Sequence, residues 1–148
     1  MIVLYASVLS EVLRPAPDSL VMDWLAAQPH VSLFTTAVTR GEILHGIRVL
    51  PDGKRRRGLW GAAKAIFDED FAGQVLSFDN DAADMYAKIS ASRRSAGKPI
   101  SQFDAMIAAM ARSRGAGLAT RNVQNFEDCG VELVNPWVGI AACVLHVF

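Results

Sequence analysis

The sequence predicts an α/β domain in three layers, a mostly parallel five-stranded sheet flanked by helices. Two observations carry this. Five short runs, Ile2–Tyr5, Val31–Phe34, Gln74–Phe78, Leu118–Thr120 and Val131–Val134, are too short for helices and read as strands. Between most of them lie longer stretches whose apolar residues recur at helical spacing. Strands that alternate with helical segments close as βαβ units, which makes the strands parallel and puts helices on both faces.

The elements follow in order. Ile2–Tyr5 is almost wholly apolar, as suits a strand buried on both faces. A short helix from Ala6 or Ser7 through Leu13 is stopped by Arg14-Pro15-Ala16-Pro17. Asp18 or Ser19 caps a helix carrying Leu20, Val21, Trp24 and Leu25, ending near Gln28-Pro29. Thr35 or Thr36 caps another that runs to about Leu50, with Ile43, Leu44 and Ile47 inward and Glu42 on another side. Pro51-Asp52-Gly53 is a turn, followed by Lys54-Arg55-Arg56-Arg57 and a helical stretch with Leu59, Trp60, Ala63, Ile66 and Phe67. Asp79 or Asp81 opens a helix with Ala82, Met85, Tyr86 and Ile89 on one face. The next helix spans Ile100–Arg112, with Ser101 as its cap and Phe103, Met106, Ile107 and Met110 as its apolar face. Its alanines, Ala105, Ala108, Ala109 and Ala111, allow close packing on a sheet.

Composition bounds the function. A chain of 148 residues with 51% apolar and 20% charged residues has a real core and is globular rather than disordered. Lys+Arg and Asp+Glu are equal at 15 each, so net charge selects no partner and local charge must decide. Cys129 and Cys143 have neither metal-ligand spacing nor a disulfide framework, which points to a reducing cytoplasm. The opening Met1–Leu4 lacks a basic leader, and the apolar tail Gly139–Phe148 is too short to span a bilayer, so no membrane association is expected.

In open parallel sheets, ligands gather at the carboxyl ends of the strands. The residues expected there are Tyr5, Ser7, Glu42, Asp104, Thr120, Asn122 and Asn125. Acids converging at such an edge suit Mg²⁺ or Mn²⁺, which take oxygen ligands and leave room for substrate phosphate. Two such ions can hold both the attacking and the leaving oxygen of a phosphodiester. The same residues also have structural readings. Ser101-x-x-Asp104 and Thr39-x-x-Glu42 each fit a capping box, and Ser7 and Thr120 each fit a strand-end cap.

Four segments resemble the VapC/FitB branch of the PIN-domain family, which comprises bacterial toxin ribonucleases. They are the opening Met1-Ile2-Val3-Leu4 with Ala6–Glu11, then Thr39-Arg40-Gly41-Glu42-Ile43 with Gly46-Ile47. The third is Gly97-Lys98-Pro99-Ile100 with Asp104-Ala105 and Ile107–Ala109. The last is Leu118–Asn122 with Asn125-Phe126 and Val131–Trp137. Together they cover residues 1–137, which sets the expected domain, with residues 138–148 as a C-terminal tail. The resemblance implies metal-dependent cleavage of RNA, a homodimer, and neutralisation by a small VapB/FitA-like antitoxin. It implies that Glu42 and Asp104 are metal ligands and catalytic residues, that Asn122 belongs with them, and that Ser7, Thr120 and Asn125 support them.

One position breaks the pattern. The family places an Asp at the end of the first strand, where this chain has Tyr5. Two carboxylates balance one divalent ion, and a neutral phenol adds no charge. Impaired cleavage is therefore expected, with a non-cleaving module that keeps antitoxin or RNA binding as the alternative. A phosphoacceptor receiver domain would need paired acids after the first strand and a Lys after the fifth, which Tyr5 and Asn135-Pro136 do not supply. Lys54–Arg57 reads as a solvated helix start or a grip on RNA phosphates or an acidic antitoxin segment. Arg93, Arg94, Lys98, Arg112 and Arg121 read as a basic rim for RNA or as exposed scatter. The helical stretch Leu59–Phe67 reads as a face for a dimer or an antitoxin.

Overall fold

The structure, a computed structural model, describes residues 1–138 and 144–146. Cys143 and most of the expected tail lie outside the described residues. Five strands run parallel: β1 (Ile2–Leu4), β2 (Leu33–Thr36), β3 (Val75–Leu76), β4 (Gly117–Ala119) and β5 (Leu133–Val134). A sixth, β6 (Val144–His146), pairs antiparallel with β5, and the order across the sheet is β3-β2-β1-β4-β5-β6. The helices are α1 (Ala6–Val12), α2 (Ser19–Ala27), α3 (Ala37–Arg48), α4 (Lys54–Ala65), α5 (Asn80–Ser95) and α6 (Gln102–Ser113). Among the described residues, no helix is long and apolar enough to cross a membrane.

Strand periodicity of two builds the three layers. Val3, Leu118 and Leu133 face one core cluster with Ile89, Ile107 and Met110. Their chain neighbours Leu4, Ala119 and Val134 face the other, with Val8, Trp24, Ile43 and Ile47. Consecutive residues thus enter opposite cores, which is why these strands read as unbroken apolar runs.

Several boundaries move from their expected places. The second strand starts two residues late, because His30–Ser32 forms a 3-10 turn that leaves Val31 80% exposed. Thr35 and Thr36 complete it instead, fully buried, and the Thr35 hydroxyl donates to the Leu4 carbonyl at 3.1 Å. The third and fifth strands shorten to two residues each. The largest correction is Phe103, expected in the apolar face of its helix and found 53% exposed. The buried face of α6 is made of Ala105, Ile107, Ala108, Ala109, Met110 and Ala111, with Asp104 at its start. Small side chains let the helix lie close against the rest of the core, and the bulky Phe103 is left on the outer side.

Arg93 sets the geometry of two loops. The sequence leaves it as part of a basic rim or as exposed scatter, and it is neither, with only 7% exposed. Its guanidinium donates to the carbonyls of Lys98 (2.7 Å), Asn125 (3.1 Å) and Glu127 (2.8 Å). It therefore ties the turn before α6 to the connection after β4. Removing this buried charged donor leaves the Lys98 and Asn125 carbonyls without their partner and the Glu127 carbonyl with only the Cys129 thiol. Arg93→Met is expected to cost about 3 kcal/mol in urea unfolding. Arg93→Lys, which cannot span all three acceptors, should recover less than half of that.

Candidate active site

The switch in strand order falls at β1, from which the chain winds to β2 and β3 on one side and to β4 and β5 on the other. Ligand sites form at such a point. Tyr5 follows β1 directly, and its N–H donates to the Ala119 carbonyl of β4 at 3.0 Å. Glu42 lies in the second turn of α3, and Asp104 in the first turn of α6. The three meet in a shallow cleft of about 300 Å³ with Ser101 and Phe103.

Neither acid is a capping residue. The cap of α3 is Thr36, whose hydroxyl accepts from the Thr39 N–H at 3.0 Å, so Glu42 is free of that role. Ser101 caps α6, accepting from the Asp104 N–H at 3.2 Å. The Asp104 carboxylate turns instead to Tyr5, whose O–H donates to Oδ1 at 2.6 Å. The Tyr5 ring is braced edge-on against Phe126, with centroids 5.1 Å apart.

The electrostatics follow from this packing. Burial raises the Tyr5 phenol well above its ordinary value, and the Asp104 bond and the Asp104 and Glu42 charges raise it further. Tyr5 is therefore neutral at pH 7. Burial also raises the Glu42 carboxyl, helped by the charge of Asp104. Glu42 Oε1 is buried without a hydrogen-bond partner, as is Thr39 Oγ1, which the sequence had suggested only as a cap. A buried carboxylate oxygen without a donor is the chemistry a cation completes.

The remaining candidates divide. The Ser7 hydroxyl accepts from the Arg121 N–H at 3.2 Å, and the Thr120 hydroxyl accepts from the Asn122 N–H at 3.0 Å. Both hydroxyls shape the loop after β4. Asn122 and Asn125 lie exposed at the start and within the 3-10 turn Val123–Phe126, and the Asn125 carbonyl is held by Arg93. Arg121 is exposed and stacks over Trp137 at 5.3 Å. Arg94 and Lys98 are exposed, and only the Lys98 backbone is anchored.

An open parallel sheet with paired acids beside its switch point is the frame of an α/β nuclease-type domain. The chain belongs to the PIN-domain family, whose model matches residues 2–130. It is 38% identical over 137 residues to the VapC ribonuclease Y4jK of Sinorhizobium fredii, covering 93% of this chain and 98% of that protein. It is 34% identical to the toxin FitB of Neisseria gonorrhoeae, covering 93% and 99%. The structure of FitAB bound to the IR36 DNA fragment superposes with a TM-score of 0.87 at 34% identity, covering 93% of this chain and 96% of that one.

PIN-domain nucleases are generally dependent on a divalent metal. Two features of this site run against the family's metal set. Among the described residues, no group of three or more His, Cys, Asp or Glu side chains is placed to hold an ion. One of the two carboxylates also spends an oxygen on Tyr5. Glu42 and Asp104 match the charge of one divalent ion, and they do not fit a two-ion clamp.

Two substitutions separate the ring from the bond. Tyr5→Phe keeps the packing on Phe126 and removes the donor to Asp104, and should cost about 1–2 kcal/mol. Tyr5→Asp adds a like charge beside Glu42 and Asp104 and should lower the metal-free melting temperature further. Mn²⁺ should restore it for Tyr5→Asp and leave Tyr5→Phe unchanged. Thermal melts with EDTA and with Mn²⁺ read both effects. Equal melts for all forms would rule out a carboxylate cluster.

Proposed function

We propose that this chain is the toxin of a two-component toxin–antitoxin pair, a cytoplasmic PIN-domain endoribonuclease whose cleavage is held low by Tyr5. The single observation that carries this is the meeting of Tyr5, Glu42 and Asp104 at the carboxyl edge of a FitB-like sheet. Glu42 and Asp104 are the surviving ligands for Mg²⁺ or Mn²⁺. Asn122, exposed in the loop after β4, is the further residue assigned to catalysis by the family resemblance. Ser7 and Thr120 fix that loop through its backbone.

The decisive experiment is Mn²⁺-dependent cleavage of a structured RNA pool by the chain, by Tyr5→Asp, and by Tyr5→Asp with Asp104→Asn. Cleavage by Tyr5→Asp alone is expected, at a rate at least about a hundredfold above the unaltered chain, the scale of a lost catalytic group. Equal cleavage by the unaltered chain would mean that other groups hold the metal. Cleavage by none would favour a binding module without nuclease action.

The partner reading rests on a second cleft of about 450 Å³. Leu13, Ile43, Ile47, Leu50 and Leu59 of α1, α3 and α4 and their connections line it, with Glu42 among its walls. Such a trough suits the apolar face of an antitoxin helix. The exposed Phe103, with Ala37 and Val38, offers a separate apolar face for a homodimer. Gly46 lines the antitoxin trough, and a side chain there would meet nothing within 4 Å. Gly46→Leu should stabilise α3 by about 0.5–1 kcal/mol. It should nonetheless weaken antitoxin binding at least about tenfold, the cost of filling a groove with a side chain (roughly 1.4 kcal/mol). Calorimetry of the purified pair measures the second effect, and thermal melts measure the first.

A further inference from the structure

The corner between α3 and α4 holds a concentration of charge that the fold does not need. Residues 48–57 contain five cations, Arg48, Lys54, Arg55, Arg56 and Arg57, against the single carboxylate Asp52. That is a third of all Lys and Arg in a chain with no net charge. Four of them stand consecutively in the first turn of α4, at the positive end of its dipole, where acids are the stabilising choice. The turn contains no acid, and its cap, Gly53, offers no side-chain acceptor. Among the described ion pairs, only Arg57 finds a partner here, Asp52 at 3.9 Å with both groups well exposed.

Four of these five cations are divided between two places. Arg55 faces the apolar trough that suits a protein helix. Arg48, Arg56 and Arg57 line a different pocket of about 280 Å³ with Asp52 and Trp60. The Arg48 guanidinium carbon lies over the Trp60 ring, 4.4 Å from its centroid. A cation–π contact braces the side chain, and a guanidinium carries a fork of N–H donors that matches two phosphate oxygens. Arg56 and Arg57 follow on the next helix. Apart from Trp60, whose face Arg48 already covers, this pocket has no apolar lining residue to hold a peptide side chain.

We infer that Arg48, Arg56 and Arg57 around Trp60 form a phosphate-binding pocket that grips the RNA backbone at a distance from the carboxylate site. The inference rests on the ribonuclease reading and adds to it a place where the strand is held. Glu42 and Arg48 share α3, six residues and about 9 Å apart along its axis. A strand held at the corner is thus within reach of the carboxylate site.

The test is binding of a labelled single-stranded RNA of mixed sequence in EDTA, where cleavage cannot contribute, across a series of KCl concentrations. Each phosphate contact contributes about 0.7 to the slope of log affinity against log salt. The triple variant Arg48→Gln/Arg56→Gln/Arg57→Gln should lose about 2 from that slope. Arg56→Gln alone, which leaves the Arg48–Trp60 stack in place, should lose about 0.7. An equal loss of charge elsewhere, Lys64→Gln/Lys88→Gln/Arg114→Gln, should change the slope by less than half as much as the pocket triple. An unchanged slope in the pocket variants overturns the inference, as does an equal change in both triples. Binding of polyglutamate as tightly as RNA, lost in the pocket triple, also overturns it and assigns the pocket to an acidic protein segment. If Tyr5→Asp cleaves RNA while the pocket variants bind it normally, this inference fails and the ribonuclease reading stands. If no form binds or cleaves RNA, the two fail together.

Discussion

The site depends on one short hydrogen bond, from the Tyr5 hydroxyl to the Asp104 carboxylate. Asp104 is 8% exposed, and a carboxylate so placed needs a donor or a cation close by. Tyr5 supplies the donor. It also links the end of β1 to the first turn of α6, the two elements between which a metal site would open. A neutral O–H against a carboxylate attracts where an Asp in the same place would repel. The bond therefore lets the carboxyl edge close without a cation, and it does so by occupying an oxygen that a cation would use.

The polar groups around this bond are of two kinds. Ser7, Thr120 and the buried Arg93 are spent on backbone groups of the loops that frame the site. They hold shape and have little left to offer a ligand. Glu42 Oε1 and Thr39 Oγ1 are the opposite case, buried oxygens with no partner. This asymmetry puts the unpartnered oxygens on the α3 side of the cleft, while Asp104 is already engaged by Tyr5. It also explains why the family resemblance survives at position 5, since the frame is built from ties in which Tyr5 takes part only through its backbone.

Much of this was legible in the sequence. The five parallel strands announce themselves because burial on both faces demands unbroken apolar runs. Their ends do not, because Val31 is as apolar as its neighbours and only the 3-10 turn exposes it. Glu42 and Asp104 stood out by motif, yet the capping readings could be discarded only once Thr36 was seen to cap α3 and Tyr5 to take the Asp104 carboxylate. Phe103 followed the helical period into the core and is found outside it, because the alanines of α6 carry the close contact. Arg93 was hidden for a different reason. A guanidinium satisfied by three carbonyls leaves no spacing signature, since every backbone position has a carbonyl to offer.

The zero net charge of the chain conceals a separation that decides what each region can do. The carboxylates Glu42 and Asp104 lie in early turns of α3 and α6 at the carboxyl edge of the sheet, Asp104 buried, and the densest cations lie at the α3–α4 corner, about 9 Å from Glu42 to Arg48 along one helix. At physiological salt the Debye length is about 8 Å. The field of the corner is partly screened over that distance, although Arg55 shares the trough with Glu42. It can draw in and hold a polyanion, but it cannot stand in for a cation at Asp104, where the charge must act at contact distance. Holding a strand and cutting it are therefore separable on this fold. Position 5 bears on cutting alone, because its phenol touches Asp104 and lies outside the arginine pocket. On both proposals, a chain that keeps the arginine pocket and carries Tyr5 would hold RNA while cutting it slowly.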